Sequence, residues 1–345
     1  MKIAVLSTFV PFYRGGAEIL ADSVTERLMQ AGHDARQFRL PFAWDPPERV
    51  VESLLAFRML DLDAYDRVVA FKFPAYCVEH HNKVIWLFHQ FRQAYDLWGT
   101  PYQHLPSGDE GARIRRSVIA ADSACLVPAP RLYCNSEVTA ARLETFNGRG
   151  AEVLYAPLVN PEVFHAGEYG DYIVCTSRIS GGKRQLLLVE AMAHVRSNVR
   201  LILAGMPETS AELERLMQRI DALGLRDRVH VDPRFISEEE KADLVAHALA
   251  VAYIPVDEDS YGFVTLEAYH ARRPVLTCSD SGGVLKLVVD GESGYVAEPD
   301  AQSIARGIDH LAASRNRLAQ MGEAGLARAA ALDIGWPAVI GKLLA

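Results

Sequence analysis

The 345-residue chain has little of what would carry it into a membrane or onto nucleic acid. No stretch reaches the ~18 consecutive apolar residues of a spanning helix, so any membrane contact is expected to be peripheral. The apolar run from Met1 to Leu6 is too short for a secretory signal and leads straight into a glycine loop, as a first strand would. Positive charge is not in excess: 36 Lys and Arg stand against 44 Asp and Glu, a net charge of −8, which argues against a general nucleic-acid binder. The deficit is uneven. Up to residue 160 there are 17 basic and 18 acidic side chains, and beyond it 19 and 26, so an anionic membrane surface or polyanionic acceptor is expected at the first half. Cysteine is sparse and odd in number. Cys77, Cys125, Cys134, Cys175 and Cys278 are scattered, mostly inside apolar runs, and read as reduced core residues of a cytoplasmic protein.

Apolar residues make up 50% of the chain, enough for two domains with sizeable cores. The pattern alternates strand and helix. Lys2–Ser7 reads as a buried strand, Gly15-Gly16-Ala17-Glu18 opens a helix to about Gln30, and a strand follows at Ala35–Leu40: a βαβ unit with its glycine loop where doubly wound sheets bind ligands. Pro46-Pro47 introduces a helix to about Leu60. Further strands are expected at Asp66–Phe71, Lys83–Phe88 with His89 at its end, Arg131–Asn135, and Glu152–Tyr155, with Ser136 capping a helix. Ala156–Gly170 has Pro157, Pro161, Gly167 and Gly170 and no period, and is placed as the interdomain hinge. The alternation then resumes with a strand at Tyr172–Thr176, a helix opened by Gly181-Gly182-Lys183 and running through His194, and a strand at Val199–Gly205. A helix at Glu208–Leu223, an extended Val229–Val231, a Ser237-capped helix, and helices after Asp300 complete it.

The most informative stretch is Asp257–Ala268. Leu249–Pro255 before it has the length and β-branched content of a buried strand, and Val264–Ala271 after it reads as a helix. An acidic, glycine-containing turn at a helix N-terminus suits an anion, and Asp259 and Glu267 bracket it. Glu267 lies among Val264, Leu266 and Ala268, where a buried carboxylate needs a hydrogen-bonding partner.

This segment resembles the E-x7-E motif of the family 4 retaining glycosyltransferases, with aspartate in place of the first glutamate. Asp259, Tyr261, Gly262, Glu267, Pro274, Gly282 and Gly283 match, and Lys286 departs from the usual glutamate. Arg178 and Lys183, five apart, match the R-x4-K element, and His89 matches the histidine at the end of a first-domain strand. The resemblance implies an α/β GT-B fold, two Rossmann-like domains facing across a cleft, with Trp336 near the point where the last helix crosses back. Domains are thus expected at 1–160 (acceptor side) and 161–332 (donor side), with 333–345 as that helix.

It further implies a nucleotide-sugar donor as co-substrate and no other cofactor. Arg178 and Lys183 would bind the diphosphate and stabilise its departing charge. Glu267 would accept from the ribose hydroxyls, and Asp259 would face the sugar with the backbone N–H groups of Tyr261, Gly262 and Phe263. His89 would lie beside the sugar, and Gly15 and Gly16 are candidates for backbone contact with its phosphate or sugar. The family retains anomeric configuration by same-face attack, so no nucleophile is assigned.

Asp61-Leu62-Asp63 and Asp257-Glu258-Asp259 have the D-x-D spacing of metal-dependent glycosyltransferases. The first lacks a partner and the second is already explained, so no metal is expected. Gln90–Ser107 loses period while collecting Phe91, Tyr95, Trp98, Tyr102 and His104, suited either to stacking on an acceptor sugar or to packing on the sheet. The resemblance implies an acceptor hydroxyl on a glycan, lipid-linked or small molecule, in cell-surface polysaccharide synthesis. An epimerase or hydrolase of the same fold, or a silent nucleotide-sugar-binding subunit, remains open.

Overall fold

The computed structural model describes residues 1–9, 15–100 and 102–345. The chain divides into two compact units, Met1–Val159 with Ile334–Ala345, and Asn160–Asp333.

Unit 1 runs β1 (Lys2–Phe9), α1 (Gly16–Gln30), β2 (Asp34–Pro41), α2 (Arg49–Arg58), β3 (Arg67–Ala70), β4 (Lys83–Leu87), α3 (Asp109–Leu126), β5 (Arg131–Cys134), α4 (Glu137–Asn147) and β6 (Glu152–Val153). Its six strands are all parallel in the order β2-β1-β3-β4-β5-β6. Ile3, Ala4, Val5 and Leu6 in β1 are wholly buried, which is why β1 reads as a continuous apolar run. Helix α3 is absent from the sequence reading. Its regularity is masked by the charges of Asp109, Glu110, Arg113, Arg115 and Arg116, although Ile114, Val118, Asp122, Cys125 and Leu126 form its buried stripe.

Unit 2 runs β7 (Tyr172–Cys175), α5 (Gln185–Met192), β8 (Arg200–Ala204), α6 (Ser210–Ala222), β9 (Val229–Asp232), α7 (Glu238–Ala246), β10 (Ala250–Ala252), α8 (Phe263–His270), β11 (Val275–Cys278), β12 (Gly294–Ala297), α9 (Ala301–Ala313) and α10 (Arg315–Ala331). Its sheet is again parallel, ordered β12-β11-β10-β7-β8-β9. Side-chain caps set several helix starts: Ser136 accepts from Thr139 N–H, Thr209 from Glu212 N–H, Asp300 from Ser303 N–H, and Ser237 forms a reciprocal box with Glu240.

The last helix, α11 (Trp336–Leu344), belongs to unit 1. The Arg67 guanidinium donates to Leu343 O at 2.7 Å, Trp336 Nε1 donates to Leu158 O at 3.1 Å, and Arg27 lies 5.3 Å over the Trp336 ring.

Doubly wound sheets bind ligands beyond the carboxyl ends of strands where the order reverses. That point falls between β1 and β3 in unit 1 and between β7 and β10 in unit 2. Gly15 and Lys72 follow the first pair; Arg178 and the Asp259 turn follow the second.

Candidate functional site

In unit 2 the chain leaves β7 through Arg178 and makes a single 3-10 turn at Gly181–Lys183. Arg184 then takes a left-handed conformation, φ 58°, so α5 begins at Gln185 rather than at Gly181 as predicted. The Arg184 guanidinium explains the kink: it donates to Ile254 O (2.6 Å) and Pro255 O (2.7 Å) and pairs with both oxygens of Asp280. Nothing in the spacing marked Arg184, because its partners come from the segments that follow β10 and β11.

The kink aims Lys183 at the acidic turn. Its ammonium donates to Tyr253 Oη at 2.9 Å, sits 5.0 Å over that ring, and pairs with the Glu258 carboxylate. Arg178 is more open and pairs with Glu208 at 3.2 Å. Burial, with Glu258 beside it, holds the Tyr253 phenol well above its ordinary pKa.

Glycine decides the turn in two places. A Cβ at Gly262, φ 71°, would come within 2.4 Å of the Tyr253 ring. One at Gly283 would meet Ser260 Cα at 2.6 Å, so the 280–283 loop lies on the turn only because it has no side chain there; Gly283 N–H donates to Glu258 O at 2.9 Å. Asp259 is half-buried, Tyr261 is buried, and Phe263 is the first residue of α8. The turn therefore delivers Asp259, Tyr261, Gly262 and Phe263 to the positive end of the α8 dipole. Lys286, in the next turn, offers its carbonyl to Arg328 Nε at 2.7 Å.

Glu267 is four residues beyond Phe263, about 6 Å along α8 and little more than one helical turn. It is 3% exposed. One oxygen, Oε1, takes the Lys241 ammonium from α7, whereas Oε2 is buried and accepts no hydrogen bond. Burial pushes the carboxyl pKa up, and the adjacent Lys241 opposes that shift. Lys241 carried no motif and was missed.

In unit 1, Gly15 N–H donates to the Glu18 carboxylate at 3.0 Å and Gly16 opens α1. Buried Glu18 also pairs with Lys72, which leaves β3; neither was singled out from sequence. His89 follows β4 and its Nδ1 lies 2.8 Å from Gln90 O. A carbonyl only accepts, so Nδ1 carries the proton. Burial, reinforced by the Lys72 cation, lowers the His89 pKa to about 4, leaving Nε2 a neutral acceptor at pH 7.

The aromatic loop divides. Phe91 stacks on Phe73 with centroids 5.5 Å apart and meets Phe42 edge-on. Tyr95 is 6% exposed; its hydroxyl donates to Asp122 at 2.7 Å and accepts from Asn147 Nδ2 at 3.2 Å. Trp98 is half-buried with Arg115 5.4 Å over its ring. Of the two alternatives open for these rings, Phe91, Tyr95 and Trp98 follow packing, in the core of unit 1, whereas Tyr102 and His104 are exposed. The Asp61 carboxylate accepts from Asp63 N–H at 3.0 Å, a local turn contact.

Residues 161–328 match the family model described as Glycosyl transferases group 1. That match spans most of the second unit. Among its relatives is a D-inositol 3-phosphate glycosyltransferase of Mycolicibacterium smegmatis, 27% identical over 345 residues, with 86% of this chain and 75% of the relative covered. An alpha-1,3/1,6-mannosyltransferase ALG2 of Dictyostelium discoideum is 31% identical over 107 residues, covering 31% of this chain and only 25% of the relative. The solved Anabaena Alr3699/HepE, in complex with UDP and glucose, superposes with a TM-score of 0.70 at 18% identity, over 100% of this chain and 98% of that one. The fold is the GT-B fold.

Proposed function

We propose that the chain is a retaining glycosyltransferase that moves a sugar from a nucleotide-sugar donor to an acceptor hydroxyl, without a metal or other cofactor. The observation that carries this is the buried Glu267 with one oxygen ion-paired and the other open, just inside the helix that the acidic turn begins. A desolvated acceptor of this kind is costly unless a ligand hydroxyl completes it. Relatives named as a D-inositol 3-phosphate glycosyltransferase and an alpha-1,3/1,6-mannosyltransferase, and a neighbour solved with UDP and glucose, support the donor class.

In this reading Glu267 Oε2 accepts from a ribose hydroxyl. Arg178 and Lys183 hold the diphosphate, Lys183 exchanging Glu258 for phosphate as the donor arrives. Asp259 and the backbone N–H groups of Tyr261, Gly262 and Phe263 orient the sugar. Neutral His89 offers Nε2 to a sugar hydroxyl, and Gly15 and Gly16, at the start of α1, make backbone contact with the donor's phosphate or sugar. Charge that develops on the leaving phosphate meets two cations already placed, so catalysis is positioning and electrostatics. The acceptor belongs to cell-surface glycan synthesis, met by unit 1 through Tyr102 and His104.

Purified protein incubated with UDP-, GDP- and ADP-sugars should be thermally stabilised by one nucleotide class and transfer its sugar with retention. Arg178→Ala and Lys183→Ala should each lower kcat/KM by about 10²-fold with the fold intact. Activity should survive excess EDTA. Hydrolysis without transfer, inversion, or loss with EDTA reversed by Mn²⁺ would overturn the reading.

A further inference from the structure

Lys241 stands outside the motifs, yet it is the cation that meets the buried Glu267. Its position is clamped. The ammonium lies 5.5 Å over the ring of Phe164, which is 4% exposed, and its side chain is 22% exposed against 4% for that of Glu267. Glu238, one turn earlier on α7, would repel Glu267, but its carboxylate accepts from Asn160 Nδ2 at 2.7 Å.

The other groups packed around α8 have their own partners. On α10, Arg328 donates to Lys286 O and Glu323 faces Arg272 at 3.8 Å. Glu162, in the 161–163 turn, acts on His270, and Cys278 on β11 lies near Arg184 and Asp280. The Tyr253 phenol, beyond β10, donates no charge at neutral pH. Among the described residues, Lys241 is thus the cation that favours the charged form of Glu267.

We propose that Lys241 is a positioning residue of the donor site: it fixes one oxygen of Glu267 so that Oε2 is presented, as part of a carboxylate, to a ribose hydroxyl of the nucleotide. This rests on the reading of Glu267 as the ribose acceptor. A protonated Glu267 loses acceptor strength and can turn its O–H toward the ligand, so the cation controls whether the site recognises ribose at all. Without Lys241 the buried carboxyl titrates higher, and its acceptor form is lost at a higher pH as the medium is acidified.

The test is titration calorimetry of UDP, GDP and ADP with wild type, Lys241→Met, Lys241→Arg, Glu267→Gln and the Lys241→Met/Glu267→Gln double variant, at about pH 6.5 and 8.5. Taking the best-bound nucleotide, the ratio of the Lys241→Met Kd to that of wild type should rise about 10-fold from the higher to the lower pH, equivalent to one pKa unit. Lys241→Arg should keep the ratio near one. In the Glu267→Gln background, adding Lys241→Met should produce no pH-dependent change, as coupling through that carboxylate requires. The double variant has neither an unpaired buried charge nor its cation, so it tests the coupling even if Lys241→Met folds poorly. A pH-independent ratio, or an equal pH effect without the carboxylate, overturns the role of Lys241 while leaving the Glu267 reading intact. Unchanged affinity in Glu267→Gln, or no binding of any of the three nucleotides, overturns the donor reading and this proposal with it.

Discussion

Replacing Asp122 by asparagine should change how unit 1 responds to pH. Asp122, on α3, is 0% exposed, and its two oxygens accept from Tyr76 Oη at 2.6 Å and Tyr95 Oη at 2.7 Å. Burial raises its pKa from 3.8 to about 7, and the two phenols only partly offset that. The folded state therefore keeps a proton that the unfolded chain has released: stability from this group is full below the unfolded pKa and is lost as pH rises through about 7. Between pH 5 and 8 the loss integrates to about 2.5 kcal/mol. With a urea m-value of roughly 2 kcal/mol/M, the unfolding midpoint should fall by about 1 M over that range. Asp122→Asn keeps the shape, cannot ionise, and should remove this component. Trp44, Trp86, Trp98 and Trp336 all lie in unit 1, so selectively excited tryptophan fluorescence follows that unit alone. A wild-type midpoint that moves with pH no differently from that of the variant would refute the argument.

Trp98→Ala should lower the unit 1 melting temperature through lost packing of about 2 kcal/mol, whereas Tyr102→Ala should leave it unchanged and raise the acceptor KM. An unchanged melting temperature in Trp98→Ala would return that ring to the acceptor surface. Gly325→Ala places a Cβ 2.3 Å from the buried Tyr269 ring and should destabilise unit 2 by about 1–3 kcal/mol in thermal unfolding. Gly341→Ala, in α11 with open space at its Cβ, should stabilise unit 1 by about 0.5–1 kcal/mol.

The strand and helix alternation was legible because both sheets are parallel and buried, so strands such as Ile3–Leu6 and Leu201–Leu203 appear as short apolar runs between helical periods. Local capping chemistry was legible too, at Ser136 and Ser237. Readings failed where partners lie far away in sequence. The start of α5 was set too early because Arg184 is turned by carbonyls seventy residues on. The pairs Lys241 with Glu267, Lys183 with Glu258 and Lys72 with Glu18 join separate elements, and no spacing rule announces them. The aromatic loop was half readable: composition showed the rings, but burial decided which of them faced inward.

Residues 334–345 close unit 1, with Arg67 buried beneath the Leu343 carbonyl and Trp336 hydrogen-bonded to Leu158. Unit 2 is therefore an insertion within a discontinuous partner. Excised at Asn160 and Asp333 it is one uninterrupted segment, whereas residues 1–159 alone would expose the seat of Val339 and Leu343 and strip Arg67 of an acceptor. The same two junctions are the places to exchange unit 2 for that of a similar protein, and any such chimaera has to retain the closing helix native to unit 1.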